Sequence, residues 1–139
     1  MFGEAKFVKF SGGLMHFAEV AVCIEKSDTS SIIKFDCSGK GFYSQGHVED
    51  ATAEGYDDWK AGGKAGALFA LSFLPASHLR VVVTRISGLT SDTTPAAVGA
   101  ATALAIWNAL KFVPTTEAVS RLETVVLQSS IDDVPNFSA

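Results

Sequence analysis

The feature that most restricts how this chain can fold is a change of period. Across residues 17–25 the side chains alternate, with Ala18, Val20, Val22 and Ile24 on one side and Phe17, Glu19, Ala21, Cys23 and Glu25 on the other. A period of two lays one apolar face along an extended strand. From Tyr56 the period lengthens, and Trp59, Gly63, Gly66, Ala70 and Leu74 recur at helical spacing until Pro75 ends the run. One side of that helix is very small. Its three interior glycines each cost up to about 1 kcal/mol relative to alanine. A compensating benefit is therefore expected, most simply close approach of the helix backbone to a sheet or to a neighbouring helix.

The other segments fit around these two. Residues 7–10 are β-prone and end at Ser11-Gly12-Gly13, a turn signal. Ser27-Asp28-Thr29-Ser30 is a polar turn, and residues 32–37 then alternate again, which predicts a hairpin partner for 17–25. Residues 39–46, containing Lys40, Phe42 and Tyr43, read as a loop or an irregular continuation. Residues 79–86 are β-branched and nearly continuously apolar, as in a central strand, and Ser87-Gly88-Leu89-Thr90 reads as the following turn. Thr94-Pro95 is a helix start, because threonine caps free N–H groups and proline has none to satisfy. A second helix over 95–111 follows, with a small stripe of Ala97, Ala101 and Ala105 and bulk from Val98, Leu104 and Trp107. Thr115 or Thr116 caps a third helix with Val119, Leu122, Val125 and Val126 on its apolar face. The tail from Ile131 is expected to pack loosely. Together these segments make a single domain over 1–139, an open β-sheet backed by helices.

Composition bounds function. At 47% hydrophobic and 19% charged residues, the 139-residue chain has enough apolar material for one core and lies far from disorder. The longest apolar runs, 65–76 and 96–110, fall short of the ~20 residues needed to cross a bilayer, so no membrane partner is expected. Residues 1–6 lack a basic region followed by an apolar one, and a cytoplasmic location is expected. Cys23 and Cys37, in strand-like segments, are too few for a disulfide framework and suit a reduced compartment as small apolar fillers. The net charge of −4 repels phosphate backbones, and the lysines are scattered singly.

No constellation carries chemistry in an evident way. His16, His47 and His78 form no metal pair by spacing. His47 with Glu49 and Asp50 is the best acid/base or metal candidate, with Asp57 as a further carboxylate. Asp57 and Asp58 are adjacent, so on a helix they point about 100° apart, and first-turn acids already complement the helix dipole. Ser11, Ser87 and Ser91 sit in no G-x-S-x-G elbow. Ser38-Gly39-Lys40-Gly41 lacks the spacing and the hydroxyl of a phosphate loop and reads as a turn. Neither a cofactor nor a metal is expected. Phe69 and Phe73 lie off the small face of the first helix and, if both were exposed, would form an apolar patch for a partner surface.

The order strand, strand, strand, helix, strand, helix resembles the fourth domain of the translocating elongation factors, bacterial elongation factor G and its relatives. Gly12-Gly13-Leu14-Met15-His16-Phe17-Ala18-Glu19-Val20 with Ile24-Glu25 keeps the spacing of that domain's glycine pair, aromatic, small residue, valine and later Ile-Glu. Tyr56, Gly63 and Ala67 fall where its first helix has Tyr, Gly and Ala. Val81-Val82-Val83-Thr84 falls on its central strand, and Asp92-Thr93-Thr94 resembles its Asp-Ser-Ser helix start. The resemblance covers about residues 10–110. It implies an α+β fold, a four-stranded sheet with helices on one face and a left-handed βαβ crossover. It also implies a domain without enzymatic activity whose loop tips, here Gly12, Gly13 and His16 on one side and Gly88, Thr90 and Asp92 on the other, act by position. Where the family carries Arg, Gly and Gln after the glycine pair this chain has Leu14, Met15 and His16, and its second tip loop is about two residues shorter and lacks the family's histidine.

The expected function is a non-catalytic binding or scaffold module that associates with itself through an apolar patch or with a protein partner. The alternatives are a small enzyme with an acid/base or metal site around His47 and Glu49, and an accessory protein that contacts RNA or the ribosome.

Overall fold

A computed structural model describes residues 1–42, 47–75 and 78–138. Its elements in chain order are β1 (Phe2–Ser11), β2 (Leu14–Lys26), β3 (Ile32–Phe35), β4 (Gly41–Phe42), β5 (Val48–Asp50), α1 (Asp57–Leu71), β6 (Leu79–Leu89), α2 (Pro95–Leu110) and α3 (Thr116–Gln128). The fold is mixed α+β. The sheet has six strands rather than four, because the segment with no regular pattern contributes β4, and β5 follows it; Tyr43 of that segment lies outside the described residues, as does Ala76.

β1 and β2 form a long hairpin closed by Gly12 and Gly13, at φ 58° and 82°. Two successive left-handed residues match the right-handed twist of the flanking strands, and glycine reaches that region without strain. β2 then pairs antiparallel with β6. The outer edge of β6 is shared: β3 runs parallel to it from Arg80 to Val83, and β5 antiparallel from Ser87 to Leu89, with β4 beyond β5. Residues 32–37 are therefore not the hairpin partner of β2. That partner is β1, and β3 instead pairs parallel with β6, with β4, β5 and α1 lying between them in the chain.

Between Ala21 and Val22 the β2–β6 register shifts, leaving Thr84 as an extra residue whose Oγ1 donates to the Ala21 carbonyl at 3.3 Å. A bulge of this kind changes which face later residues occupy. Val81 and Val83 before it and Ile86 after it all reach the core, which is why the strand reads as continuously apolar.

The helices cover one face of the sheet. α2 lies on β1 and β2, while α1 lies beside α2 and over β3, where Gly63 meets the Phe35 ring. A Cβ on Gly66 would overlap the Gly99 carbonyl, and one on Gly62 would overlap that of Pro95. The small stripe of α1 thus serves helix–helix contact at backbone distance. α1 ends at Leu71, before Pro75, and α2 starts as its sequence suggests, with Thr94 Oγ1 accepting from Ala97 N at 3.1 Å. Thr115 caps α3 in the same way.

Trp107 is buried between the helices and donates its indole N–H to the Ala70 carbonyl at 3.2 Å. Phe69, 7% exposed, stacks against Trp107 and Phe137, while Phe73 remains 41% exposed. The two do not make a joint surface patch, because the chain's own tail supplies the partner. Phe137 is 2% exposed, and its carbonyl accepts from Arg121 Nε at 2.9 Å, so the tail is anchored there even though Ile131 and Val134 are exposed. Of the cysteines, Cys37 is a buried filler and Cys23 lies exposed on the open face of β2.

Candidate functional site

The end of the sheet that carries Gly12 and Gly13 is built from β2 outward. Pairing of β2 with β6 begins at Glu19. Beyond it the hairpin continues alone with β1, so Gly13 stands four residues past Phe17, roughly 13 Å at about 3.3 Å per residue. A Cβ at either tip glycine would meet nothing within 4 Å. Phe10 and Leu14 flank the turn and are 68% and 65% exposed.

The second tip is tied down. Phe17 N donates to the Asp92 carbonyl at 3.0 Å, and Thr93 Oγ1 donates to the Phe17 carbonyl at 2.6 Å while accepting from Leu89 N at 2.8 Å. On the other side, Thr90 N and Oγ1 both donate to the His47 carbonyl, at 2.7 and 3.0 Å. The turn after β6 is thereby fixed to β2 and to the residue before β5.

Of the residues assigned to the tips, His16, Thr90 and Asp92 lie at this end of the sheet, with Gly12 and Gly13 projecting past them. Gly88 does not belong with them. It is a buried residue of β6 on which a Cβ would stand 2.7 Å from the Trp59 ring, and its role is to let α1 approach the sheet. Because Ser87, Gly88 and Leu89 all continue the strand, the turn begins only at Thr90.

Beside the second tip, at the N-terminal ends of α1 and α2, lies a cleft of about 510 Å³ bordered by Thr90, Thr93 and Trp59 and by four carboxylate residues, Glu49, Asp57, Asp58 and Asp132. Tyr56, the left-handed residue preceding α1, donates its hydroxyl to Glu49 Oε1 at 2.9 Å. Burial, with help from Glu49 and Asp50, pushes the Tyr56 phenol up to about 12. A phenol so held stays protonated near neutral pH and offers its O–H as a hydrogen-bond donor. Glu49 and Asp57 do line one cleft, but His47 is exposed and outside it, so the expected acid/base trio is not assembled. Among the described residues no three His, Cys, Asp or Glu side chains are grouped to hold a metal. Cys37 donates weakly to the Val83 carbonyl, and burial pushes its thiol up, with Lys60 opposing and Asp36 adding to the rise. Among the described residues no helix is long and apolar enough to cross a membrane.

The sequence groups Glu49 with Asp57, and both line this cleft, but it gives no sign that Asp132 joins them. Asp132 arrives from a tail expected to be loose, and its distance from Asp57 in sequence conceals their proximity.

Comparison with known proteins adds the fold. Three-quarters of the chain, 75%, superposes on a crystal structure of a protein from Thermus thermophilus with a TM-score of 0.50 and 18% identity. The likeness is one of fold. The aligned part is 14% of that protein's chain, so the present chain matches a small portion of a much larger one. No family model and no curated protein matches the sequence.

Proposed function

We propose that this chain is a non-catalytic binding module related to the fourth domain of the translocating elongation factors, and that it associates with itself and presents the hairpin end of its sheet to a protein partner. The observation that carries the reading is the construction of that end. A hairpin projects past the rest of the sheet on two left-handed glycines, its flanking Phe10 and Leu14 face solvent, and the neighbouring turn is fixed by bonds to Phe17 and His47. Apolar and projecting beside a turn held by hydrogen bonds, this end is suited to recognition by position. Supporting the kinship are the parallel pairing of β3 with β6 and the helices gathered on one face; the kinship further implies that the connection between these two strands is a left-handed crossover.

A protein partner is favoured over RNA by charge. The cleft beside Thr90 is walled by Glu49, Asp57, Asp58 and Asp132, which repel phosphate, and the tip has Leu14 and Met15 where a phosphate reader would carry arginine. Co-sedimentation with purified bacterial ribosomes at low salt, where phosphate contacts are strongest, separates the two. The expected result is no binding. Binding that is lost when Phe10 and Leu14 are changed to serine would establish the ribosome reading instead.

A further inference from the structure

Self-association needs a surface, and the edge of the sheet supplies one. Among the described residues β1 is the outermost strand, and its ten residues pair only with β2. Met1 and Ile24 exchange both backbone bonds at 2.7 Å, so in the antiparallel alternation the odd-numbered residues of β1 bond to β2 and the even-numbered ones point their N–H and C=O groups outward. Asn108 Nδ2 donates to the outward Glu4 carbonyl at 2.9 Å. Among the described residues nothing pairs with the outward N–H groups of Lys6, Val8 or Phe10. A long, unpaired edge of this kind is a template for another strand.

The charge pattern says which strand. The even-numbered side chains, Phe2, Glu4, Lys6, Val8 and Phe10, stand on the open face of the sheet. In an antiparallel pairing of two copies about a twofold axis at Ala5, Glu4 of each copy faces Lys6 of the other and Phe2 faces Val8. Moving the axis to Lys6 sets lysine against lysine, and moving it to Glu4 sets glutamate against glutamate, both unfavourable. An axis at Phe7 puts Glu4 opposite Phe10 and Lys6 opposite Val8, with no charge matched. Arg85 already binds Glu4 at 3.2 Å and Glu19 at 3.0 Å, and Lys6 lies 3.9 Å from Glu19. The pairing at Ala5 joins the two networks into one.

We infer that the β1 edge is an isologous interface with a second copy of this chain, in the register that sets Glu4 against Lys6. The inference rests on the self-association proposed above. In that register about six N–H···O bonds can form across the axis to acceptors without another partner, and two more use the second lone pair of each Glu4 carbonyl beside the Asn108 bond, all without disturbing the β1–β2 ladder.

Sedimentation equilibrium of the full chain tests it. Glu4→Lys and Lys6→Glu should each raise the dimer dissociation constant roughly tenfold, because each sets like charges opposite one another. An equimolar mixture of the two variants should recover dimer, since one chain then carries positive charge at both positions and the other negative charge at both, so every facing pair is matched. A folding defect could not produce that recovery. Val8→Pro is the second probe: it removes only an outward N–H, so it should abolish the dimer while leaving the far-ultraviolet spectrum unchanged. A dimer that persists in Val8→Pro, or singles that do not recover on mixing, overturns the edge as the interface and leaves self-association standing. A wild-type chain that stays monomeric at every concentration overturns both, and leaves the edge to an extended segment of a different protein.

Discussion

Two regions of this molecule are rich in glycine for opposite reasons. Between α1 and α2, Gly62, Gly66 and Gly99 are buried where backbones touch, and no room remains for a methyl group. At the hairpin tip, Gly12 and Gly13 have open space around them and are fixed instead by their positive φ. The first region uses glycine for the side chain it lacks, the second for the backbone it permits. Stability should therefore concentrate in the helix pair, and the capacity to be altered without unfolding should concentrate at the tip.

The largest test of this contrast is Gly66→Ala. Its Cβ would overlap the Gly99 carbonyl, which belongs to a helix and cannot yield as a side chain can, so a loss of about 3 kcal/mol or more is expected from urea denaturation. Gly13→Ala meets no atom and should lose only about 1–2 kcal/mol, the cost of a left-handed non-glycine residue. An equal loss at the two sites would break the comparison. Thr94→Ala, which uncaps α2 beneath the tightly packed pair, should lose about 1 kcal/mol in the same assay. Tyr56 gives a pH-dependent effect between the two regions. The folded chain holds the phenol proton more tightly than the unfolded one, so its contribution to stability is complete below pH 10 and is lost as the pH rises through about 12. Tyr56→Phe should flatten the fall in stability over that window and remove the late phase from the phenolate absorbance titration. The smallest effect belongs to Leu14→Ser, within about 0.5 kcal/mol, since that side chain is exposed beside the turn.

Much of the architecture can be read in the chain because the deciding interactions are local. Thr94-Pro95 fixes the start of α2 through a bond three residues long, and Gly12-Gly13 fixes the hairpin. The stripe of small residues announces close packing, although not whether a sheet or a helix fills the space. What stays hidden depends on distant partners. β3 alternates as any strand does, and nothing within it states that it will lie parallel to β6 and not against β2. The beginning of β1 is masked by Gly3 and Ala5, which are small because α2 crosses over them. Phe137 is buried by residues 38 and 68 positions earlier in numbering, Gly99 and Phe69, so a short polar tail conceals an anchor. Of the candidate site, the hairpin tip is legible through its glycines; the carboxylate cleft is legible only in Glu49 and Asp57, because Asp132 comes from a distant segment.

The position of β6 has a kinetic consequence. Every strand that pairs with it, β2, β3 and β5, precedes it in the sequence and must wait for it, across the whole of α1 in the case of β3. The β1–β2 hairpin closes locally and early, but its apolar residues Val20, Val22 and Ile24 have no cover until residues 79–110 arrive. During synthesis the amino-terminal half is thus a sticky ribbon, and the interval before β6 docks is when this chain most needs shielding from its neighbours.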